Sequence, residues 1–313
     1  MNYGPVYLPP NKEHLDPDLK HVFVFAHQDD EVGPAGTISR LAWKKGKFLW
    51  VTNGDGLAPM EGVDPDEYAK VRMAEAFESA RRLGVPSNRV EQLAVSEIEI
   101  YDRLLEVAGG GTARNQAMQF FRSVYDKVES WIEKQNPDIA WSAAWQGQHP
   151  EHDLAHFFTA LALKRLEEKT GKEIPMYEFP EYEFVILVPL RFKPWRRGVV
   201  HRVRLNGEDM AYKMRVYTAY PSQDKLFGQF ESIITALGNI ASLTGNKFDA
   251  MDYLQVEEFA PVPKDRDYTA KPHILAALDY MLDKHKGIRI RFESMIRPIV
   301  EDLHSHVMKK KTK

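Results

Sequence analysis

The chain has 313 residues and a formal net charge of −3, with 42 Lys and Arg residues against 45 Asp and Glu residues. This balance provides no overall positive field for holding nucleic acid, so we expect no nucleic-acid partner. Because the chain has no cysteine, disulfide scaffolds and cysteine nucleophiles are excluded, and any metal site must use histidine and carboxylate ligands.

The chain begins with an arm that we expect to be extended. Residues 1–20 are rich in proline and acidic side chains and lack the apolar core of a signal peptide. The apolar runs elsewhere are far shorter than the roughly 18 residues that a membrane span needs. We therefore expect no membrane insertion and a cytoplasmic location.

Short apolar runs then alternate with helical patterns. The predicted strands cover residues 21–26, 48–52, 90–95 and 138–145. The predicted helices cover residues 36–45, 65–83, 115–134 and 152–169. Continuous apolar runs are typical of parallel strands that are buried on both faces. This order predicts a Rossmann-like α/β fold, in which a mostly parallel sheet is flanked by helices.

The pattern changes after residue 170. Strand-like segments at 176–179, 184–190 and 199–205 form an added strand region, and helices are predicted at 210–219, 223–243 and 273–306. We therefore predict an α/β domain over residues 1–225, which includes the arm, and a helical C-terminal extension over 226–313 packed on it. The apolar stripe of the last helix, which includes Leu278, must be buried against this domain or against another subunit of a homo-oligomer. We expect the extension to be structural and to contain no catalytic group.

A first polar cluster follows the strand predicted at 21–26. It places His27 beside three acidic residues, Asp29, Asp30 and Glu31. Burying unpaired charges is costly, so these groups need partners or a cation. Histidine with aspartate suits zinc or a similar divalent metal. The alternative is a solvated acidic loop whose carboxylates cap the following helix.

A second cluster follows the strand predicted at 138–145 and begins a helix. It contains three histidines and two acids, namely His149, Glu151, His152, Asp153 and His156. Helix capping by the acids is the alternative interpretation. Because parallel strands end at the same edge of a sheet, we expect the two clusters to meet there. An open catalytic zinc site needs three protein ligands and a free position. A fourth ligand at His156 would close that position, so we expect His156 to lie beside the metal site.

At these residues the sequence resembles the LmbE-like, or PIG-L-like, family of zinc-dependent N-deacetylases. The family's AHPDDE motif corresponds to AHQDDE, which ends at Glu31, and its HPDH motif corresponds to HPEH, which begins at His149. Weaker matches are TNGDG at 52–56, a helix motif that contains Arg72, and AYPSQ at 219–223. The resemblance covers about residues 20–225. It departs at Gln28, which replaces a proline, and at Glu151, which replaces an aspartate.

The resemblance implies a role for each matching residue. The implied metal ligands are His27, Asp30 and His152. Asp29 is implied as the general base. His149 is implied to stabilise the oxyanion or protonate the leaving amine, with Glu151 orienting it. The implied contacts to sugar hydroxyls are Arg72 and Asp102.

The resemblance therefore implies a hydrolase that removes an acyl group, typically acetyl, from the amide nitrogen of an N-acylated amino sugar or a related conjugate. The implied cofactor is Zn²⁺, with another divalent metal such as Fe²⁺ as an alternative. A metallophosphoesterase is a second hypothesis, although it needs further carboxylate ligands and Asp55 is the only obvious one at another strand end. A non-catalytic sugar-binding module on the same scaffold is a third hypothesis.

Overall fold

The computed structural model describes residues 4–11, 15–181, 189–243, 250–273, 279–280 and 283–311. The strands are β1 Val6–Leu8, β2 His21–Phe25, β3 Lys47–Thr52, β4 Val90–Val95, β5 Ile139–Ala143, β6 Met176–Phe179, β7 Val199–Arg204, β8 Val256–Pro261, β9 Lys284–His285 and β10 Ile288–Arg289. The helices are α1 Ala35–Lys45, α2 Ala58–Glu61, α3 Pro65–Arg82, α4 Glu97–Gly109, α5 Gly111–Gln135, α6 Pro150–Thr170, α7 Gly207–Tyr217, α8 Asp224–Leu243, α9 Ala250–Leu254 and α10 Arg297–Lys311. No helix in these ranges is both long and apolar enough to cross a membrane.

Within the described residues, eight strands form one sheet in the order β1-β7-β8-β6-β5-β2-β3-β4. β8 pairs antiparallel with β6 and with β7, and the other neighbouring strands of this sheet pair in parallel. The predicted mostly parallel sheet flanked by helices is therefore confirmed.

The two faces of the sheet are both buried, as expected for its central parallel strands. Side chains alternate along β2, so that Val22 and Val24 lie on one face and Phe23 and Phe25 on the other. Helices α4, α5, α6 and α10 contribute to the core on the first face. Helices α1, α3 and α7 cover the second face. The loops that follow the strands are therefore held between two packed layers.

The C-terminal part differs from its prediction as one long helix over 273–306. Residues 284–289 form the antiparallel hairpin β9–β10, followed by a π-helical turn, Phe292–Ile296, and then by α10. Lys286 and Gly287 have φ values of 50° and 78°, as a two-residue hairpin turn requires. Ile290 is buried in the core that contains α5 and α6. Leu278 lies outside the described residues, as do residues 184–188 of a predicted strand.

Strand β8 was also not predicted, because residues 226–313 were expected to be helical. It lies inside the sheet, between β6 and β7. The division of the chain at residue 225 stays a prediction, although this strand makes residues from both sides of it part of one sheet.

Candidate active site

The two polar clusters lie in neighbouring loops. β2 ends at Phe25 and β5 ends at Ala143, and these two strands pair in parallel. Their carboxyl ends therefore point to the same edge of the sheet, which is the edge where open α/β folds bind ligands. The loop after β2 leads into α1, and the loop after β5 leads into α6.

His27, Asp30 and His152 converge at this edge. His27 Nδ1 lies 2.9 Å from His152 Nε2, and Asp30 Oδ1 lies 3.0 Å from His152 Nε2 and 3.7 Å from His27 Nδ1. The second oxygen of Asp30 accepts hydrogen bonds from the backbone N–H groups of Ala26 and His27, which fixes the carboxylate. Two imidazole nitrogens and a carboxylate oxygen that face one another form a donor set suited to zinc or a similar divalent ion.

The electrostatics of these ligands favour a charged cluster. Burial by itself raises the pKa of Asp30, but the neighbouring imidazoles of His152 and His27 hold it well below its usual range. Burial lowers the pKa of His27, yet Glu97 and then Asp30 raise it well above its ordinary value. The anionic side chains therefore dominate, as expected of a site that attracts a cation.

A second carboxylate pair faces the other nitrogen of His27. Its Nε2 lies 4.0 Å from Glu97 Oε1 and 3.9 Å from Glu151 Oε1. Glu151 also accepts a hydrogen bond of 3.2 Å from the hydroxyl of Tyr101. Glu97 was not identified from the sequence, and Tyr101 was considered there only as an aromatic ring that could stack on a sugar. They lie four residues apart on α4, a helix that was not predicted.

Asp29 has an unusual backbone. Its φ of 113° lies in a region that non-glycine residues rarely adopt, and such strain is concentrated at functional sites. Its Oδ2 lies 3.1 Å from Arg72 Nη2. Burial raises the pKa of the Asp29 carboxyl to about 6, and the Arg72 guanidinium opposes this shift. Asp29 therefore lies beside the ligand cluster, and the pKa of its carboxyl is shifted toward neutral pH.

Arg72 has its observed partners within the protein. Its side chain is buried, donates a hydrogen bond to the backbone oxygen of Gln28, and pairs with Asp29 and Glu75. With these partners it holds the loop that carries Asp29. These contacts make it a positioning residue for Asp29, and its contact to a sugar hydroxyl stays a prediction.

Asp102 was predicted to contact a sugar hydroxyl, and this stays a prediction. It lies on α4, where its Oδ1 accepts hydrogen bonds of 2.6 Å from His285 Nε2 and 2.5 Å from Lys286 Nζ. These bonds connect α4 to the hairpin β9–β10. Asp102 therefore stabilises the attachment of the C-terminal segment.

His149 contacts a residue that the sequence did not suggest. Its Nδ1 lies 3.2 Å from Asp283 Oδ1. Burial lowers the pKa of His149, but Asp283 and then Glu151 raise it, and the net shift is upward. Glu151 was predicted to orient His149, and this stays a prediction; the structure adds Asp283 as an ion-pair partner of His149. A residue of the segment 226–313 therefore contacts a candidate catalytic residue, while the expectation that this segment contains no catalytic group stays a prediction.

Backbone and side-chain contacts fix the position of Asp283. The Tyr280 N–H donates to Gly147 O at 2.7 Å, and the Tyr280 hydroxyl donates to Asp153 Oδ2 at 2.6 Å. Asp153 in turn accepts hydrogen bonds from the backbone N–H groups of Gln146 and Gly147. A turn then joins Asp283 N–H to Tyr280 O at 3.1 Å. The loop after β5 and the C-terminal segment are thus held together beside His149.

His156 lies away from the converging ligands, bonded to other groups. Its Nδ1 donates to Ala143 O at 2.7 Å, and its Nε2 accepts from Tyr268 OH at 3.0 Å. Both nitrogens are thus engaged in the core. Burial, followed by the nearby Arg266, lowers the pKa of His156 to about 4.

This burial predicts a loss of stability in mild acid. The unfolded chain binds a proton at His156 near pH 6.5, whereas the folded chain resists protonation until about pH 4. When the pH is lowered from 8 to 5, protonation of His156 in the unfolded chain therefore lowers the free energy of unfolding by about 2 kcal/mol. Denaturant unfolding at both pH values is expected to show a smaller pH dependence for His156→Gln than for the parent. His306→Gln, which changes an imidazole paired with Asp126, is the control; equal pH dependence in all three proteins would contradict the prediction.

Comparison with solved structures shows that the fold of this chain is similar to known ones. The A40926 pseudoaglycone deacetylase Dbv21 aligns with a TM-score of 0.54 and 16% identity. The alignment covers 80% of this chain and 100% of the Dbv21 chain. The N,N'-diacetylchitobiose deacetylase of Pyrococcus horikoshii aligns with a TM-score of 0.51 and 20% identity, over 81% and 88%. The zinc-inhibited form of the teicoplanin deacetylase aligns with a TM-score of 0.51 and 15% identity, over 79% and 100%.

Residues 22–163 match the family described as PIG-L, GlcNAc-PI de-N-acetylase, and this chain contains a domain of that family. The matched segment includes both polar clusters. It ends well before Asp283. A sequence comparison with curated proteins gave no match.

Proposed function

We propose that this protein is a metal-dependent hydrolase that removes an acyl group, of which acetyl is the simplest, from the amide nitrogen of an N-acylated amino sugar or related conjugate. The observation that carries the proposal is the convergence of His27, Asp30 and His152, with Asp29 beside them and outside the ligand set. The family match over residues 22–163 supports the same chemistry.

His27, Asp30 and His152 are proposed to hold one divalent cation. When bound, such an ion supplies Lewis-acid activation of water and of the amide carbonyl. We propose Zn²⁺ first and Fe²⁺ as the alternative. The zinc-inhibited form of one structural neighbour is a reason to test each metal separately.

The remaining residues divide the proton transfers between them. Asp29 accepts the proton of the attacking water, and Arg72 keeps its carboxylate in place. On the leaving-group side, His149 in its protonated form donates a proton to the departing amine. Asp283 holds the Nδ1 of His149, so that the Nε2 is the atom that reaches the substrate.

The metallophosphoesterase hypothesis is less well supported. It needs carboxylate ligands beyond the first cluster; the sequence offered Asp55, and the structure places Glu97 and Glu151 beside the other nitrogen of His27. Asp55 instead accepts hydrogen bonds from the N–H groups of Glu97 and Ile98 and from the hydroxyl of Ser96, which caps the start of α4. Its oxygens are therefore engaged in holding a helix end.

Metal reconstitution tests the proposed function. Chelator-treated protein is loaded with Zn²⁺ or Fe²⁺, analysed for bound metal, and assayed for amine release from N-acyl amino sugars and acylated amines. We expect about one equivalent of bound metal per chain and amine release that depends on it. Failure of both would contradict the proposal, and release of phosphate from phosphoesters would favour the alternative hypothesis.

Asp283→Asn is expected to lower kcat by roughly 10- to 100-fold with little change in KM, as part of the 10²- to 10⁴-fold that general-acid catalysis contributes. Because the carboxylate raises the pKa of His149, its removal lowers that pKa. The alkaline limb of the pH profile of kcat should therefore move to lower pH. Steady-state kinetics across the pH range would measure both effects.

Asp302→Asn is the matched control. Asp302 lies on α10, also in the C-terminal segment, and forms an ion pair with Arg122. It should change neither kcat nor the pH profile. An Asp283→Asn protein with an unshifted alkaline limb would show that Asp283 is merely structural.

A further inference from the structure

A cavity of about 140 Å³ borders the loop that carries Asp29 and Asp30. Its walls come from the loop after β2, from the chain on both sides of residues 182–188, and from α7, α8 and α9. The side chains that form its apolar surface are Val32, Leu190, Met210, Met214, Phe227, Ile234 and Leu254.

Most polar groups in the walls are already paired with one another. Lys213 Nζ lies 2.9 Å from Glu257 Oε1 and donates to Gly33 O at 2.6 Å. The Tyr217 hydroxyl donates to Glu231 Oε1 at 2.8 Å. The Tyr217 ring also stacks on Phe227 with centroids 4.6 Å apart. Because these polar groups are paired with one another, the cavity surface that remains for an occupant is mainly hydrocarbon.

The polar end of the cavity is the end at the proposed catalytic centre. Asp29, Asp30 and Glu181 line it there. Glu181 is buried, and its Oε1 has no hydrogen-bond partner among the described residues. The cavity thus suits a molecule with an apolar tail and a polar head group placed at Asp29.

We propose that this cavity receives the acyl chain of the substrate, and that the protein acts on amides whose acyl group is a linear hydrocarbon chain longer than acetyl. This inference rests on the proposed function and specifies its substrate class. His149 and Asp283, which we place on the amine side, do not line the cavity, whereas Asp29 and Asp30 do. The cavity therefore lies on the acyl side of the amide.

The cavity is larger than an acetyl group needs. One water molecule needs roughly 10–15 Å³ of such free volume, so that a cavity of about 140 Å³ exceeds by far what a methyl group fills. Each methylene that leaves water for an apolar wall gains enough free energy to raise affinity about fourfold. Chain length should therefore determine binding until the cavity is full.

Binding of linear carboxylates, which correspond to the acyl product, tests the proposal without relying on turnover. Acetate, butanoate, hexanoate, octanoate and decanoate are titrated into the metal-loaded protein by calorimetry. We expect affinity to rise about fourfold for each added methylene over the first members and then to level off. Amides with the same acyl chains on glucosamine should show a parallel rise in kcat/KM. An affinity that is independent of chain length would overturn the proposal.

Met214→Trp and Ile234→Phe are expected to fill part of the cavity and to remove the gain from the longer chains. Met308→Trp makes the same change as the first variant at a position on α10 that does not line the cavity, and it should bind the whole series like the parent. Thermal melts establish that each variant is folded. A gain with chain length that survives in both cavity variants would overturn the assignment of this cavity.

Two further results are informative. Chain-length-dependent binding with no hydrolysis of any amide would refute the proposed function and leave the cavity assignment in place. If N-acetylglucosamine with an octyl group on its anomeric oxygen competes with octanoate, and Met214→Trp weakens that competition, then the cavity holds an apolar group on the amine side. That result would overturn the acyl-chain proposal.

Discussion

Asp29→Asn is expected to leave the metal bound and to lower turnover by roughly 10²- to 10⁴-fold, the usual contribution of general-base catalysis. The carboxylate of Asp29 lies outside the three converging ligands and pairs with Arg72. Asparagine has nearly the same volume, and it tolerates positive φ better than most residues, so that the strained loop should persist. Elemental analysis after dialysis and an amine-release assay would measure the two effects.

Asp30→Asn is expected to have the opposite effect on the metal. This substitution removes the anionic ligand that faces His27 and His152, so that metal affinity should fall by more than the roughly 10- to 100-fold seen when outer partners are lost. Titration of the chelator-treated protein with metal would measure the change. Turnover should partly recover at high metal concentration.

The two asparagine variants control for each other, because they change adjacent residues in the same way. If Asp29→Asn releases the metal while Asp30→Asn retains it, the roles that we assign to these residues are reversed. Loss of metal from both variants would mean that the loop tolerates neither change, and it would remove the distinction between base and ligand.

The sequence was informative where the signal is local. The central strands are buried on both faces, so they appear as continuous apolar runs, and β2 and β5 were predicted within a few residues of their observed ends. The polar residues that follow these strands then had to meet at one edge of the sheet. This is why the two polar clusters could be brought together from the strand pattern, whereas the choice of His27, Asp30 and His152 as ligands came from the family resemblance.

Strand β8 was missed because two of its buried residues are acidic, so that its sequence lacks the apolar run of a buried strand. Glu257 accepts hydrogen bonds from the N–H groups of Gly36 and Thr37 at the start of α1 and pairs with Lys213. The adjacent Glu258 pairs with Arg202 of β7. Both acids are buried and satisfied, yet in the sequence they look like a solvated segment.

The partner of His149 could not be predicted for a different reason. Asp283 reaches the site because Tyr280 bonds to Gly147 in the loop after β5 and to Asp153 on α6. Tyr280 and Asp153 lie 127 residues apart in the sequence. No periodicity connects such positions. Arg72 illustrates the same limit, since a motif identifies the residue but does not show whether its guanidinium faces a substrate or a neighbouring loop.

The position of β8 has a consequence for the biogenesis of the protein. Among the described strands, β1 and β7 are joined to the five strands β6, β5, β2, β3 and β4 only through β8. While the chain is being synthesised, β6 and β7 therefore remain open edges until residues 256–261 have left the ribosome. Open edges of this kind pair readily with other chains, and non-local strand pairing is slow. We expect soluble yield to depend on slow translation, low temperature and chaperones that bind nascent chains, since these protect the sheet until its last central strand arrives.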